Sequence, residues 1–165
     1  MKLIEQTFND FGQHQFNLSI FQFNSHHVDL NKFIKSQYFK FEMQPERLKN
    51  NLKKDFLRPL FEPNKIFIED FTFLEKDSVY EYLNSFYHDE DWGDDFKFID
   101  CLLKEFKSIT KDSFELGCYI LNKDWFDETS IKVREKEFMV YGYYILLIWL
   151  NKKKKCVYTC DFFWD

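Results

Sequence analysis

Apolar and polar residues alternate with period two over several short stretches of the chain and recur at helical spacing over others. "QFNLSIFQF" (15–23) alternates as a half-buried strand does, and a shorter strand is predicted near Leu3 to Phe8. Asp29 is then placed to cap a short helix running to Tyr38, and Pro45 suits the first position of a second helix. Leu48, Leu52, Phe56 and Leu60 form its apolar stripe, and Pro59 and Pro63 close it. "KIFIEDFTF" (65–73) predicts another strand.

Ser78 and Glu81 match a capping box at the head of the stripe Val79, Leu83 and Phe86. Asp94 or Asp95 is placed to cap a further helix whose buried face is Phe96, Ile99, Leu103 and Phe106, with Cys101 expected to face the core. Lys104 and Lys107 in its last turns have the charge that the C-terminal end of a helix dipole favours. "FELGCYIL" (114–121) predicts a strand, and the C-terminal third a hairpin: 137–150, a turn at "NKKKK", and 156–164. The pattern predicts an α+β chain, 1–165 as one globular domain, with an antiparallel sheet weighted to the C-terminal half and about four helices packed on one face. No low-complexity linker divides it.

Composition changes this picture little. There are 165 residues, enough to bury roughly 70% of the unfolded surface without help from a disulfide or a metal. The 22 Phe and 9 Tyr stand beside no alanine, 4 Gly and 3 Pro, the combination that AT-rich codons favour, so the aromatic excess is not read as a binding device. The longest apolar run, "FMVYGYYILLIWL" (138–150), has 13 residues against the roughly 20 that a membrane-spanning helix needs, and its β-branched and aromatic content reads as a buried strand. The opening "MKLIEQTFNDFG" lacks the apolar core of a secretory signal, so a cytoplasmic location is expected. Cys101, Cys118, Cys156 and Cys160 contain no CxxC pair, and Cys156 and Cys160 would sit about 13 Å apart on an extended strand, too far for a disulfide or a shared zinc. Four reduced thiols are expected.

Charge changes it more. Residues 1–61 carry 9 basic and 6 acidic side chains, a net of +3, and residues 62–165 carry 14 and 22, a net of −8. Residues 69–128 alone hold 17 acids and 6 bases, a net of −11. At the centre lies "YHDEDWGDDF" (87–96), in which Asp89, Glu90, Asp91, Asp94 and Asp95 surround Trp92 and Gly93. "DWFDE" repeats the pattern with Asp124, Trp125, Asp127 and Glu128, and the chain ends in "DFFWD" (161–165).

Neither calcium nor a known catalytic motif accounts for these acids. With Gly93 at position 6 of an EF-hand loop, the ligand places fall on His88, Glu90, Trp92 and Ile99, of which only Glu90 could serve. No GxSxG, HExxH, GxGxxG or P-loop pattern occurs. The histidines are His14, His26, His27 and His88, and only His88 has a carboxylate neighbour, Asp89. No cofactor or metal is called for. Arg47, Lys49, Lys53, Lys54 and Arg58 on the second helix, or Lys152 to Lys155 at the hairpin tip, could meet phosphates, but the overall balance of 23 bases to 28 acids opposes nucleic-acid binding.

Tryptophans ringed by acids fit a protein-binding face, because tryptophan anchors interfaces and concentrated negative charge steers a basic partner. Asp89, Glu90, Asp91, Trp92, Asp94, Asp95, Asp124, Trp125, Asp127 and Glu128 are the expected partner-binding residues. The expectation is a non-catalytic acidic protein that neutralises a basic one, such as an immunity protein that blocks a secreted bacterial toxin, for instance a nuclease. The alternatives are a small enzyme whose His/carboxylate site assembles in space, and an acidic decoy that mimics DNA.

Overall fold

The structure, a computed structural model, describes residues 1–11, 14–24, 27, 29–39, 66–85, 96–121 and 143–164. They form one six-stranded antiparallel sheet: β1 (Lys2–Phe11), β2 (His14–Gln22), β3 (Phe71–Glu75), β4 (Gly117–Leu121), β5 (Tyr143–Asn151) and β6 (Cys156–Trp164). The spatial order is β1-β2-β6-β5-β4-β3, so the two terminal hairpins meet at the centre, where β2 pairs with β6. The described helices are α1 (Leu30–Ile34), α2 (Lys76–Ser85) and α3 (Phe96–Thr110), with a 3-10 turn at Ile68–Asp70.

Central placement explains why β5 is apolar throughout. Ile145, Leu147 and Trp149 face α2 and α3, while Leu146 and Ile148 face α1, and all five are buried. A strand covered on both faces needs no polar alternation. On the α2/α3 side, Val79, Leu83, Leu103 and Phe106 pack on Phe16, Leu18, Cys160 and Phe162 of the central strands. Phe16 meets Phe162 edge-on at 5.3 Å, in line with the pairing of Phe16 with Phe162 across β2 and β6. On the other side, Leu30, Phe33 and Ile34 of α1 pack with Phe21, Val157 and Ile148.

Several expectations are corrected. The helices lie on both faces, because the apolar residues of α1 share a core with the opposite set of sheet positions from those under α2 and α3. Three of the four expected helices are among the described residues, and the helix expected from Pro45 lies outside them. The sheet is not weighted to the C-terminal half, since β1, β2 and β3 all come from the first half of the chain. The stretch 65–73 is a strand only from Phe71: Asp70 Oδ2 accepts the Phe67 N–H at 2.9 Å, which folds Ile68–Asp70 into the 3-10 turn. Helix α2 starts at Lys76, so Ser78 lies inside it and is not its cap. Asp29 does cap α1, accepting the Asn31 N–H at 2.7 Å.

The lysine turn is held from beneath. Asn151 is buried, donates from Nδ2 to the Ser113 carbonyl at 3.1 Å, and accepts the Lys154 N–H at Oδ1 at 2.7 Å. Lys155 closes the turn at φ 54°, a left-handed conformation, and its carbonyl accepts the Phe23 N–H. Lys152, Lys153 and Lys154 project outward. No described helix is long and apolar enough to cross a membrane.

Cys101 is exposed on α3, against the expectation that it faces the core, whereas Cys118, Cys156 and Cys160 are buried; all four thiols are free. Burial pushes the Cys118 and Cys160 thiols well up, and pushes Cys156 up against the opposing pull of Lys154. Because the thiolate is the reactive form, one of the four thiols is expected to react quickly with a thiol reagent under native conditions and three only on unfolding. Rapid native titration of two or more would contradict this placement.

Candidate functional site

Period two along β2 and β6 gives the α1 side of the sheet an unexpected floor. Asn17 and Ser19 share a face with Phe21, and Thr159 and Asp161 share it with Val157. Register sets Asn17 opposite Asp161 and Ser19 opposite Thr159, with Gln6 of β1 opposite Ser19. Four polar side chains thus stand together between apolar neighbours, with Asn17, Ser19 and Thr159 fully buried and Asp161 1% exposed.

Burying polar groups costs free energy unless they are hydrogen-bonded. Here the bonding is incomplete. Asn17 Nδ2 donates to Asp161 Oδ2 at a long 3.4 Å, and Gln6 Nε2 donates to Ser19 Oγ at 3.1 Å. Asn17 Oδ1 and Thr159 Oγ1 have no partner among the described residues. The free groups are an amide oxygen and a hydroxyl beside a carboxylate, chemistry that suits a small hydrogen-bond donor such as water. Among the described residues, no group of three or more His, Cys, Asp or Glu could hold a metal ion.

A second feature lies at the outer end of the sheet. Phe73 of β3 and Leu116, just before β4, are 44% and 71% exposed. With Gly117, Tyr119, Leu150 and two charged neighbours, Glu115 and Lys152, they line a groove of about 160 Å³. The Phe73 and Tyr119 rings meet at 5.1 Å. Gly117 makes this close approach possible, because a Cβ there would run into the Leu74 carbonyl oxygen and stand 2.8 Å from the Phe73 ring.

The ten expected partner-binding residues, Asp89, Glu90, Asp91, Trp92, Asp94, Asp95, Asp124, Trp125, Asp127 and Glu128, lie outside the described residues, as do His26 and His88. Their flanks are described. The first stretch joins α2 to α3, and the second follows β4. Helices α2 and α3 meet at Tyr80: its OH lies 2.8 Å from Thr110 Oγ1, and its ring packs on Phe106 under the Lys107 ammonium. The sequence reading missed the buried floor. It noted Asp161 only as part of the closing "DFFWD". The signal was there in N-x-S and T-x-D at matching parity on two strands, but only the pairing of β2 with β6 brings them together.

Comparison with protein-family models, curated proteins and solved structures finds no match for this chain.

Proposed function

We propose that this chain is a non-catalytic acidic binding protein that neutralises a basic partner protein, and that its biological role is that of an immunity protein against a secreted toxin such as a nuclease. The observation that carries the reading is where the acidic window stands on the fold. Glu69, Glu75, Asp77, Glu81, Asp100 and Asp112 are exposed along the β3–α2–α3 side. Lys76, Lys104, Lys107 and Lys111 are exposed on the same elements, so the acids exceed the bases there by six to four. An excess of one sign contributes little to stability and steers an oppositely charged partner at long range.

The flanks of the acidic stretches support the same reading. Helix α2 begins at the lysine-turn end of the sheet, where the Lys76 N–H donates to the Leu116 carbonyl, and it lies over β3 and β4. Its ten residues rise about 15 Å, close to the length of a five-residue strand. That carries Ser85 toward the Phe71–Leu121 end, from which 122–128 also depart. Ser85 and Leu121, the described residues that precede the two tryptophan-bearing acidic stretches in sequence, thus lie toward the end of the sheet away from the lysine turn.

The partner to test is the basic C-terminal domain of a large secreted protein, should an adjacent gene encode one. Reversing Asp91, Asp94 and Asp95 to lysine is expected to slow association with that domain at least tenfold. Association of the unmodified chain should itself slow steeply with salt, since screening shortens the reach of charge to about 10 Å at 0.1 M. A folded triple variant that associates at an unchanged rate sinks the reading.

A further inference from the structure

Strand β3 is the outermost described strand on its side of the sheet, and its five residues, Phe-Thr-Phe-Leu-Glu, carry no lysine, no proline and no register shift, with Glu75 their one charge. Natural edge strands are guarded by lysines, prolines or bulges. The opposite edge has such guards: β1 carries Lys2 and a register shift between Leu3 and Glu5. On β3, Thr72, Phe73 and Glu75 are exposed, and Phe73 borders the groove shared with Leu116 and Tyr119.

We propose that the outer edge of β3 is a docking site for an extended segment of the basic partner, which adds to the sheet as a seventh strand and seats an apolar side chain against Phe73 and Leu116. This rests on the basic-partner reading and gives it a binding mode. Strand addition supplies affinity through main-chain hydrogen bonds and specificity through the pockets that alternate side chains enter. The length of β3 limits the added strand to about five residues.

Charge selects the occupant. Glu69 precedes the strand, Glu75 ends it, and Asp77 and Glu81 follow on α2, all exposed; with Glu115 of the groove they outnumber the nearby bases, Lys76 and the groove's Lys152, by five to two. An incoming strand that alternates lysine or arginine with apolar residues would place its cations near these carboxylates. A second copy of this chain would bring two net-negative edges together, which like-charge repulsion disfavours.

The probe is a synthetic seven-residue peptide alternating lysine and valine, titrated into the full chain by NMR. Two controls accompany it, the glutamate/valine counterpart and the lysine/valine peptide N-methylated at alternate residues, which removes the N–H groups of one edge. The lysine/valine peptide is expected to bind and to slow amide exchange at residues 71–75. The glutamate peptide is expected not to bind, and N-methylation on the paired edge should weaken binding at least tenfold. Phe73→Ser with Leu116→Ser should do the same while leaving the fold intact, since neither side chain belongs to the buried core and Leu116 is 71% exposed.

Unchanged affinity in the double variant, or protection outside 71–75, overturns the proposal. Protection or loss of binding that tracks Asp91, Asp94 and Asp95 instead would discard the edge and keep the basic-partner reading. Dimerisation that depends on Phe73, seen by sedimentation without any peptide, would show that a second copy takes the edge and would also overturn it.

Discussion

Replacing Trp149 by alanine is expected to cost about 3–5 kcal/mol of stability, the range for truncating a buried aromatic. Trp149 is fully buried at the centre of the α2/α3 core. Its indole stacks on Tyr158 at 5.2 Å with the planes 7° apart, and Phe106 and Phe114 meet it edge-on at 5.8 and 5.9 Å. Nε1 donates to Ser113 Oγ at 3.0 Å, which ties β5 to the segment that follows α3. Alanine removes all four contacts and leaves a cavity between layers that cannot fully collapse. A domain of this kind has about 5–15 kcal/mol in total, so the variant should melt far below the parent and express poorly. Trp149→Phe keeps most of the aromatic volume and loses the bond to Ser113 Oγ, whose hydroxyl still donates to the Ile109 carbonyl at 2.9 Å, and should fall between the two. A urea titration in which Trp149→Ala loses less than about 1 kcal/mol would contradict the packing described for this core.

Much of the sheet was legible in the sequence because β-strands announce themselves where one face is buried or both are. The alternation at 15–23 became β2, the apolar run became β5 from Tyr143, and the lysine turn falls at "NKKKK" as expected. Helix α3 was legible for the same reason, with Leu103 and Phe106 both buried. Three things were not. Which face each helix covers depends on the strand order, and the junction of β2 with β6 joins residues about 140 apart in sequence, as the Asn17–Asp161 hydrogen bond shows. The 3-10 turn before β3 looks apolar and strand-like, but a single carboxylate, Asp70, captures the backbone first. Cys101 passed as a core residue because small apolar side chains fit either side of a helix stripe. For the candidate site, sequence showed charge but not burial, so it flagged the acids of the window and passed over Asp161, which carries the same charge in the interior.

That buried floor yields a pair of effects of opposite sign. Asn17→Leu keeps the volume of the side chain but removes the Nδ2 donor from Asp161, whose carboxylate is nearly enclosed. A hydrogen bond to a charged group is worth about 1.5–3 kcal/mol, and a buried acceptor stripped of a donor bears the desolvation cost as well. Because this bond is long at 3.4 Å, the substitution is expected to destabilise by about 1 kcal/mol, just below that range. Thr159→Val, one residue pair away, replaces a hydroxyl that has no partner among the described residues with a methyl group of nearly the same shape. Removing an unsatisfied buried hydroxyl relieves a cost of about 1–3 kcal/mol, so this variant is expected to gain about 1 kcal/mol. Urea titrations of both variants beside the parent decide the matter. A Thr159→Val variant that loses 1 kcal/mol or more would show that Oγ1 is engaged by a group outside the described residues, and would contradict the reading of an unsatisfied hydroxyl. A gain in that variant alongside a loss in Asn17→Leu identifies the Asn17–Asp161 pair as the part of the floor that holds β2 to β6, with Thr159 a polar residue that the core tolerates at a cost.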